Sequence, residues 1–221
     1  MSLVVVKLGG AVAEDAAEMV LALALEHDVC VVHGAGPQIT AEMERFGIEV
    51  CFVGGRRVTS EAGLAVVRSS VAAVNRAVCA AIGPRALPMF GDEVGLHAAH
   101  VGPLGFVGDP LPSRPPAIVE AVRDGRIPVV APLAVGPLNV NADEAAAALA
   151  VGLEADRIVF VTDVPGLLVG DAVAPEIAVG DAVRLLDDGE LEGGIVPKLR
   201  AAVSAARNGV DAVIGDTAVV A

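Results

Sequence analysis

Short apolar segments alternate along the chain with longer segments in which apolar positions recur at helical spacing. Residues 3–8 form an almost continuous β-branched run, which is typical of a strand buried on both faces of a sheet. Further strands are predicted at residues 29–32, 50–53, 86–90, 128–132, 157–161, 211–214 and 217–220, and helices at residues 13–25, 38–46, 60–82, 117–124, 144–149, 181–186 and 197–208. Strands that alternate with helices at this spacing pair in parallel through right-handed crossovers. The pattern therefore predicts an α/β fold with a large, mainly parallel sheet and a ligand edge at the carboxyl ends of its strands.

Two stretches carry the signals of turns and loops. Residues 54–59, Gly-Gly-Arg-Arg-Val-Thr, are predicted to form a basic turn ahead of the long third helix, with Thr59 or Ser60 as its N-cap. Residues 91–116 are rich in glycine and proline and are predicted to form an excursion on the surface.

Composition and charge narrow the classes of partner. The chain has 221 residues, 54% of them hydrophobic, which suits one large α/β domain or two closely packed lobes. The net charge of −13 and the absence of Trp and Tyr disfavour a nucleic-acid partner, because phosphate backbones demand clustered Lys and Arg and bases stack on aromatic rings. An acidic chain that handles an anionic ligand must concentrate its few positive charges locally.

Cysteine usage and the length of the apolar runs bear on the compartment. Cys30, Cys51 and Cys79 are widely spaced and odd in number, which predicts reduced thiols, packed as small hydrophobes, in a cytoplasmic protein. No apolar run reaches the ~18 residues of a membrane span, and no signal-peptide pattern opens the chain. We therefore expect a cytoplasmic location and no membrane partner.

Residues 139–143, Asn-Val-Asn-Ala-Asp, place two amides and one carboxylate between the predicted strand at residues 128–132 and a helix rich in alanine. Open α/β sheets hold their ligand-handling groups at such strand-to-helix junctions. Asp143 is also a good N-cap for the helix, and the residues alone leave both interpretations open. An N-cap does not explain why two asparagines alternate just before it.

Four predicted loops share one form, in which a strand ends, glycine or a small polar residue follows, and a helix begins. They are residues 7–10, 33–36, 139–143 and 162–163. Glycines there let backbone N–H groups approach an anion, and helix N-termini favour negative charge. Gly34 and Gly36 could open a dinucleotide-binding fingerprint, but Ile39 stands where its third glycine belongs. Neither a Walker-type phosphate loop nor the Gly-x-Ser-x-Gly of hydrolases occurs in the sequence.

Two lysines stand in unusual settings. Lys7 lies inside a strand that is predicted to be buried, where a charge is rare unless it has a partner or snorkels out at the strand end. Lys198 follows Gly193 and Gly194 near a predicted helix start, where the helix dipole gains nothing from a cation. That position mildly favours an anion bound beside it.

Six motifs occur in order along the chain: Val-Lys-Leu-Gly-Gly at residues 6–10, Val-His-Gly-Ala-Gly-Pro-Gln at 32–38, Gly-Arg-Arg-Val-Thr at 55–59, Asn-Val-Asn-Ala-Asp at 139–143, Thr-Asp-Val-Pro-Gly at 162–166 and Gly-Gly-Ile-Val-Pro-Lys at 193–198. Together they resemble the N-acetylglutamate kinases, a branch of the amino acid kinase family, and they span nearly the whole chain. The Asn-x-Asn-Ala-Asp form points to that branch.

The resemblance implies a three-layer αβα sandwich around a central, mainly parallel open sheet. It implies a single domain in which residues 1–135 form an amino-acid-substrate lobe and residues 136–221 a nucleotide lobe. The implied activity is ATP-dependent phosphorylation of the side-chain carboxylate of N-acetyl-L-glutamate, which gives N-acetyl-L-glutamyl 5-phosphate in arginine biosynthesis. Mg²⁺ would be held mainly by the phosphates of ATP, so no metal cluster made by the protein is expected.

The family pattern also implies roles for individual residues. Lys7 and Lys198 would neutralise the transferring phosphoryl group, and Asp143 would hold both lysines in place. The substrate would be bound by Gly34, Ala35, Gly36, Arg57, Asn139 and Asn141, with Arg57 as a fork on its α-carboxylate. ATP would be bound by Lys7, Gly9, Gly10, Asp163, Gly194 and Lys198.

The chain departs from the family pattern at several points. Ala35 stands where the family has a glycine, and its methyl group is expected to crowd the anion loop or to require a shifted backbone. Arg56 beside Arg57 makes the carboxylate fork ambiguous, and Arg57, directly before Val58, is the preferred choice. The chain is shorter than most members, and no helical extension precedes Leu3, whereas arginine-inhibited members usually carry one and form hexamers. The resemblance therefore implies an arginine-insensitive homodimer that pairs through the long third helix.

Two alternatives stay open. The first keeps the chemistry but changes the acid, for example to N-acetyl-aminoadipate, since one extra methylene shifts binding by only ~1–3 kcal/mol. The second is a non-catalytic relative that binds nucleotide or amino acid and regulates a partner. Ala35 and the shortened C-terminal lobe motivate it, whereas Lys7, Asp143 and Lys198 together argue against it.

Overall fold

The computed structural model describes residues 1–9, 16–162, 165–169, 172–189, 191 and 193–221. Its strands are β1 (Leu3–Leu8), β2 (Asp28–His33), β3 (Phe52–Val53), β4 (Arg56–Arg57), β5 (Ala86–Phe90), β6 (Ala98–His100), β7 (Val107–Pro110), β8 (Ile127–Ala131), β9 (Leu133–Ala134), β10 (Leu138–Val140), β11 (Arg157–Phe160), β12 (Leu168–Val169), β13 (Ala172–Val173), β14 (Glu176–Ala178), β15 (Asp211–Ile214) and β16 (Thr217–Val220). Its helices are α1 (Ala17–Leu23), α2 (Gly36–Arg45), α3 (Glu61–Ile82), α4 (Gly91–Val94), α5 (Pro116–Arg123), α6 (Ala142–Gly152), α7 (Val179–Asp188) and α8 (Ile195–Arg207), with a 3₁₀ turn at Gly102–Leu104. The first three residues of the helix predicted at 13–25 lie outside the described residues.

The central sheet has eight strands in the order β14-β16-β15-β11-β1-β2-β8-β5. Each neighbouring pair is parallel except β15 with β16. The apolar strand β1 lies between β2 and β11, and Lys7 pairs with Val32 on one side and Phe160 on the other. The prediction of an α/β fold with a large, mainly parallel sheet is confirmed.

Helices cover both faces of this sheet. On one face Val5, Cys30 and Phe160 pack in an apolar cluster with residues of α5, α6 and α8. On the other face Val4 and Val6 pack in a second cluster with residues of α1, α2 and α3. Because successive side chains of a strand point to opposite faces, the continuous apolar run of β1 feeds both clusters. The result is the three-layer αβα sandwich that the family resemblance implies.

The arginines predicted to form a basic turn lie instead in a strand. Gly54 and Gly55 make the tight turn of the β3–β4 hairpin with φ values of 58° and 81°, which glycine adopts without steric cost. Arg56 and Arg57 follow them as β4, so their side chains point in opposite directions. The next helix, α3, takes Ser60 as its N-cap, with the Ser60 hydroxyl accepting from the N–H of Gly63 at 3.1 Å.

Residues 91–116 lie largely at the surface, as their glycines and prolines predict, but they also form regular elements. They contain α4, β6 and β7, and β7 pairs with β10 in a second, four-stranded sheet of order β6-β7-β10-β9. Asn139 belongs to β10 and therefore to this small sheet, whereas β8 had been predicted to lead directly to it. Within this segment Val107 is only 1% exposed, because β7 pairs with β10 further along the chain.

Helix α3 is the one helix in the described ranges that is long and apolar enough, by length and composition, to cross a membrane. One of its faces packs against the main sheet, where Val67, Val71 and Val78 are at most 1% exposed. A core helix of a folded domain gives the same signal, so this helix by itself is weak support for a membrane span.

The three cysteines differ in their surroundings. Cys30 is fully buried in β2, and burial raises the pKa of its thiol to about 12. Cys79 is half-buried on α3, and desolvation raises the pKa of its thiol as well. Cys51 is exposed ahead of the β3–β4 hairpin. The prediction that all three pack as small hydrophobes is therefore wrong for Cys51.

Candidate active site

A cavity of about 300 Å³ opens beyond the carboxyl ends of β1 and β2, walled also by the amino ends of α2, α6 and α8 and by the β3–β4 hairpin. Ten of the residues predicted for the site line it: Lys7, Gly34, Ala35, Gly36, Arg57, Asn139, Asn141, Asp143, Gly194 and Lys198. Gly9 directly follows β1 and is not among the described residues that line the cavity. Gly10 and Asp163 lie outside the described residues.

One carboxylate joins the two lysines. The Nζ of Lys7 lies 2.8 Å from Oδ1 of Asp143, and the Nζ of Lys198 lies 3.3 Å from the same oxygen. The three side chains are 6%, 12% and 9% exposed for Lys7, Lys198 and Asp143, respectively, so dissolved salt screens these pairs little. Residues from β1, α6 and α8, which are far apart in sequence, thus meet at one oxygen atom.

Burial makes the charged form of Lys7 unfavourable, because the ammonium loses contact with water. Burial lowers the pKa of Lys7 below its ordinary value, the charge and hydrogen bond of Asp143 oppose this, and the nearby Lys198 cation lowers the pKa further. The charged form of Lys7 therefore depends on negative charge at this spot. A second anion placed between the two lysines would stabilise both ammonium groups.

Asp143 is not the N-cap of α6, which was one of the two interpretations of the sequence. Asn141 is the N-cap, and its Oδ1 accepts from the N–H groups of Asp143 at 2.8 Å and Glu144 at 3.2 Å. The carboxylate of Asp143 is thereby left for the lysines, and it still gains from its place in the first turn of the helix. The Nδ2 of Asn141 donates to the carbonyl of Gly55 at 3.3 Å, which ties α6 to the β3–β4 hairpin.

Asn139 is fixed from behind the cavity wall. Its Nδ2 donates to the hydroxyl of Thr59 at 2.9 Å, and that hydroxyl donates to the carbonyl of Arg57 at 2.7 Å. Thr59 is fully buried. The small sheet that holds Asn139 and the hairpin that holds Arg57 are therefore connected through one side chain.

The structure separates the two adjacent arginines. Arg56 forms a bidentate pair with Glu144 at 3.1 Å for both bonds, and also contacts Asp109 at 2.7 Å. Arg57 donates to the carbonyl of Gly36 at 3.1 Å and to the hydroxyl of Thr40 at 2.8 Å. Arg57 has no carboxylate partner among the described residues, and burial lowers the pKa of its guanidinium. Arg57 is therefore the arginine that is available to bind a carboxylate in the cavity.

Ala35 does not distort the loop between β2 and α2. Its φ of −145° is negative and therefore outside the left-handed region that favours glycine, and it is 3% exposed among the apolar side chains packed against α1, α2 and α3. The expectation that its methyl group crowds the anion loop or requires a shifted backbone finds no support in this conformation. The next residue, Gly36, begins α2, so its N–H belongs to a helix N-terminus that faces the cavity.

Several residues of the site were not singled out from the sequence. Glu144 and Asp109 hold Arg56, Thr40 supports Arg57, and the ring of Phe52 lies 4.6 Å from the Arg57 guanidinium carbon. Phe52 is 54% exposed and also lines the cavity. In the sequence, the one signal for Phe52 is that an aromatic residue stands two positions ahead of the Gly54-Gly55-Arg56 turn.

The charges around the cavity suit anionic ligands. Arg56 is neutralised by its own carboxylate partners. Among the described residues that line the cavity, this leaves Lys7, Lys198 and Arg57 against the carboxylate of Asp143. The amino ends of three helices add partial positive charge. No group of three His, Cys, Asp or Glu that could hold a metal ion occurs among the described residues.

Comparison with known proteins gives concordant matches. A model of the amino acid kinase family matches residues 2–216. The acetylglutamate kinase of Roseiflexus castenholzii is 39% identical over 226 residues, which cover 94% of this chain and 86% of the relative. The crystal structure of smu.665 from Streptococcus mutans has a TM-score of 0.89 at 26% identity, covering 99% of this chain and 98% of that one. Giardia carbamate kinase has a TM-score of 0.74 at 16% identity, covering 99% and 98%, and shares the fold.

Proposed function

The chain belongs to the amino acid kinase family, and we propose that it is a kinase that transfers the γ-phosphoryl group of ATP to the side-chain carboxylate of N-acetyl-L-glutamate. The product is N-acetyl-L-glutamyl 5-phosphate, an intermediate of arginine biosynthesis. The observation that carries the proposal is the contact of Lys7 and Lys198 with one oxygen of Asp143 at the edge of a cavity that Arg57 also lines. The acetylglutamate kinase relative at 39% identity supports the choice of acid.

The reaction needs positioning and positive charge rather than a base. A carboxylate is already ionised at neutral pH, so no proton has to be removed from the nucleophile. The obstacle is repulsion between the attacking carboxylate and the phosphoryl group, together with the charge that develops on the leaving β-phosphate oxygen. Fixed cations and N–H donors lower that barrier, because they are already oriented when the charge appears.

Lys7 and Lys198 supply those cations. Each ammonium contacts Asp143, so both are held at fixed positions on the cavity wall and neither must be ordered when the substrates bind. The phosphoryl oxygens replace part of the solvation that burial has removed from Lys7. Asp143 is a positioning residue in this scheme, because it acts through the two lysines.

Backbone donors complete the phosphate side. Gly9 and Gly10 follow β1, Gly34, Ala35 and Gly36 follow β2, and Gly194 precedes α8. Their N–H groups would contact ATP or the transferring group, and Asp163, after β11, would act on the nucleotide side. Mg²⁺ would be held mainly by the phosphates of ATP.

Arg57 binds the α-carboxylate of the amino acid. Its guanidinium is held by the Gly36 carbonyl and the Thr40 hydroxyl, which fixes its plane. Because these two acceptors take both hydrogens of Nη2, N–H groups on Nε and Nη1 remain to donate to a carboxylate. Asn139 and Asn141 would contact the same substrate from the β10–α6 junction.

The sheet order supports a division into two lobes within the single domain. Strands β1, β2, β5 and β8 come before residue 136 and occupy one side of the sheet, and β11, β14, β15 and β16 come after it and occupy the other. The cavity lies where the two groups meet, at β1. We assign residues 1–135 to the amino acid and residues 136–221 to the nucleotide.

The protein would act as a cytoplasmic homodimer that pairs through α3. The face of α3 that points away from the sheet carries exposed small residues at helical spacing: Ala62, Ala65, Ser69 and Ala73. The exposed Arg76 follows at the next position of this stripe, and Ala80 lies beyond it. Small side chains let two helices approach closely over the first half of α3. We propose neither a nucleic-acid partner nor a membrane partner.

The test is acyl phosphate formation trapped by hydroxylamine, with ATP, Mg²⁺ and either N-acetyl-L-glutamate or N-acetyl-aminoadipate. We expect turnover on the first acid and little on the second. A preference for N-acetyl-aminoadipate would move the protein to another pathway with the same chemistry. No turnover on either acid, with nucleotide binding still measurable by calorimetry, would favour a regulatory protein.

A further inference from the structure

Two buried polar residues lie directly behind the loop between β2 and α2. His33 is the last residue of β2 and is fully buried, and Asn75 is 1% exposed on the sheet-facing side of α3. Valines surround Asn75 on this face of the helix, at positions 67, 71, 74 and 78. A polar side chain in such a setting costs free energy unless its hydrogen bonds are satisfied. Neither residue is among the described residues that line the cavity.

The hydrogen bonds of Asn75 fix the protonation of His33. The Nδ2 of Asn75 lies 2.8 Å from the carbonyl oxygen of Val129, and a carbonyl can only accept, so the amide orientation is determined. The same Nδ2 lies 3.1 Å from Nε2 of His33, so Nε2 is the accepting nitrogen. The proton of the neutral imidazole is therefore on Nδ1, 3.3 Å from the carbonyl oxygen of Gly34, to which it donates.

His33 is neutral at physiological pH. Burial lowers the pKa of its imidazole to about 4, and the hydrogen bond to Gly34 opposes this only in part. Protonation would also place a second N–H against the Nδ2 of Asn75, where two donors would face each other. The neutral ring with its proton on Nδ1 is therefore the stable form.

The orientation of the Gly34 carbonyl determines the orientation of the following N–H. No cis peptide bond occurs in the described chain, and in a trans peptide the C=O and N–H groups point in opposite directions. The Gly34 carbonyl points back toward His33 and the core. The N–H of Ala35 in the same peptide group consequently points away from the core, on the side where Gly34, Ala35 and Gly36 line the cavity.

We propose that Asn75 and His33 are positioning residues for phosphoryl transfer, which lock the Gly34–Ala35 peptide so that the Ala35 N–H donates to the transferring phosphoryl group. This inference rests on the proposed function, because it assigns a role within that reaction. Neither side chain touches a substrate. They keep one backbone donor oriented before charge develops, which is the condition under which such a donor lowers the barrier.

The kinetic test compares His33→Asn with His33→Leu in the full chain. The Asn side chain can place an N–H near the position of Nδ1 and donate to Gly34, whereas Leu cannot. We expect His33→Leu to lower kcat by about 10-fold or more, with KM for both substrates within about 3-fold, and His33→Asn to recover most of that loss. Equal kcat values in the two variants, or a loss confined to KM, would overturn the proposal.

A spectroscopic test on the unmodified protein keeps the proposal testable if a variant fails to fold. Long-range ¹H–¹⁵N NMR reports which imidazole nitrogen carries the proton. We expect His33 to be neutral with the proton on Nδ1, and Asn75→Leu to release the ring toward the Nε2–H tautomer with a matching fall in kcat. An Nε2–H tautomer in the unmodified protein would overturn the proposal. Lack of turnover on any acid would instead reject the proposed function, while the NMR result would still stand.

Discussion

The Nζ of Lys7 lies 2.8 Å from Oδ1 of Asp143, and both side chains are less than a tenth exposed. A buried pair of this kind is weak support for stability, since desolvation offsets most of the attraction. Lys198 reaches the same oxygen at 3.3 Å, so two cations share one carboxylate. One carboxylate cannot neutralise two ammonium groups, so a net positive charge remains at this spot. An anion bound between the two lysines would neutralise it, and this is the physical basis of the proposed activity.

Asp143→Asn tests the role of the shared carboxylate. Without it the two ammonium groups repel each other and lose their fixed positions, so we expect kcat to fall by about 10²-fold or more. The fold should persist, because Lys7 can release its proton. Steady-state kinetics and thermal unfolding of the variant check both expectations. Glu42→Gln, which removes the exposed partner of Arg45, is the control and should leave kcat unchanged. Full activity in Asp143→Asn would contradict the assignment.

Arg57→Lys and Arg56→Gln distinguish the two adjacent arginines. Arg57→Lys keeps the charge but loses the planar guanidinium with its several N–H donors, so we expect KM for N-acetyl-L-glutamate to rise by about 10-fold or more while kcat changes less. Arg56→Gln breaks the pair with Glu144 and Asp109, and its main effect should be on stability. A larger rise of KM in Arg56→Gln than in Arg57→Lys would show that the arginines are assigned the wrong way round.

Ala35→Gly tests whether this departure from the family pattern limits the activity. The φ of Ala35 is negative and its methyl group is buried, so we expect the kcat of Ala35→Gly to stay at that of the unmodified protein. The substitution should lower the free energy of unfolding by about 1 kcal/mol, because Gly has more freedom to lose on folding and leaves a small void. Urea unfolding and kinetics measure the two quantities. A large increase in kcat would mean that the methyl group does crowd the anion loop.

How much the sequence predicts depends on whether a signal is local. Continuous apolar runs predict the buried strands β1 and β2. Lys7 is conspicuous in the sequence because its charge interrupts such a run. The small sheet was missed because β7 and β10 are only four and three residues long and are paired over a long separation in sequence. Their pairing is decided by tertiary contacts rather than by propensity.

The same distinction holds within the site. Asp143 is available to the lysines because Asn141 is the N-cap of α6. Asp and Asn are about equally good caps, so the sequence alone could not decide which of the two caps the helix. Asn75 carries a readable signal, since it is a polar residue on the apolar face of a long helix. Its partner His33 lies 42 residues away, and only the folded chain identifies the pair.

Ala73→Glu tests the proposed pairing through α3. A carboxylate in the middle of the exposed stripe would be buried against its own copy in a dimer, so we expect the variant to sediment as a monomer. Ala117→Glu, on the exposed side of α5, is the matched control and should sediment like the unmodified protein. A dimer that persists unchanged in Ala73→Glu would place the interface elsewhere.

The buried His33 predicts part of the pH dependence of stability. Its pKa is about 4 when folded and near 6.5 when unfolded, so between these values the unfolded chain binds the extra proton. This stabilisation is complete above pH ~6.5 and is lost as the pH falls toward 4, by up to about 3 kcal/mol. Urea unfolding at a series of pH values should show a weaker slope in this window for His33→Asn. Identical slopes would mean that His33 titrates normally in the folded protein.

The most direct measurement of the central claim is ³¹P NMR of the unmodified protein with ATP, Mg²⁺ and N-acetyl-L-glutamate. The γ-phosphate signal of ATP should decrease while ADP and an acyl phosphate signal appear in equal amounts, and Lys7→Met should suppress both products. ADP formed together with inorganic phosphate alone, before any acyl phosphate is seen, would mean that water rather than the carboxylate accepts the phosphoryl group. An unchanged spectrum with nucleotide bound would contradict the proposal that this protein catalyses the transfer.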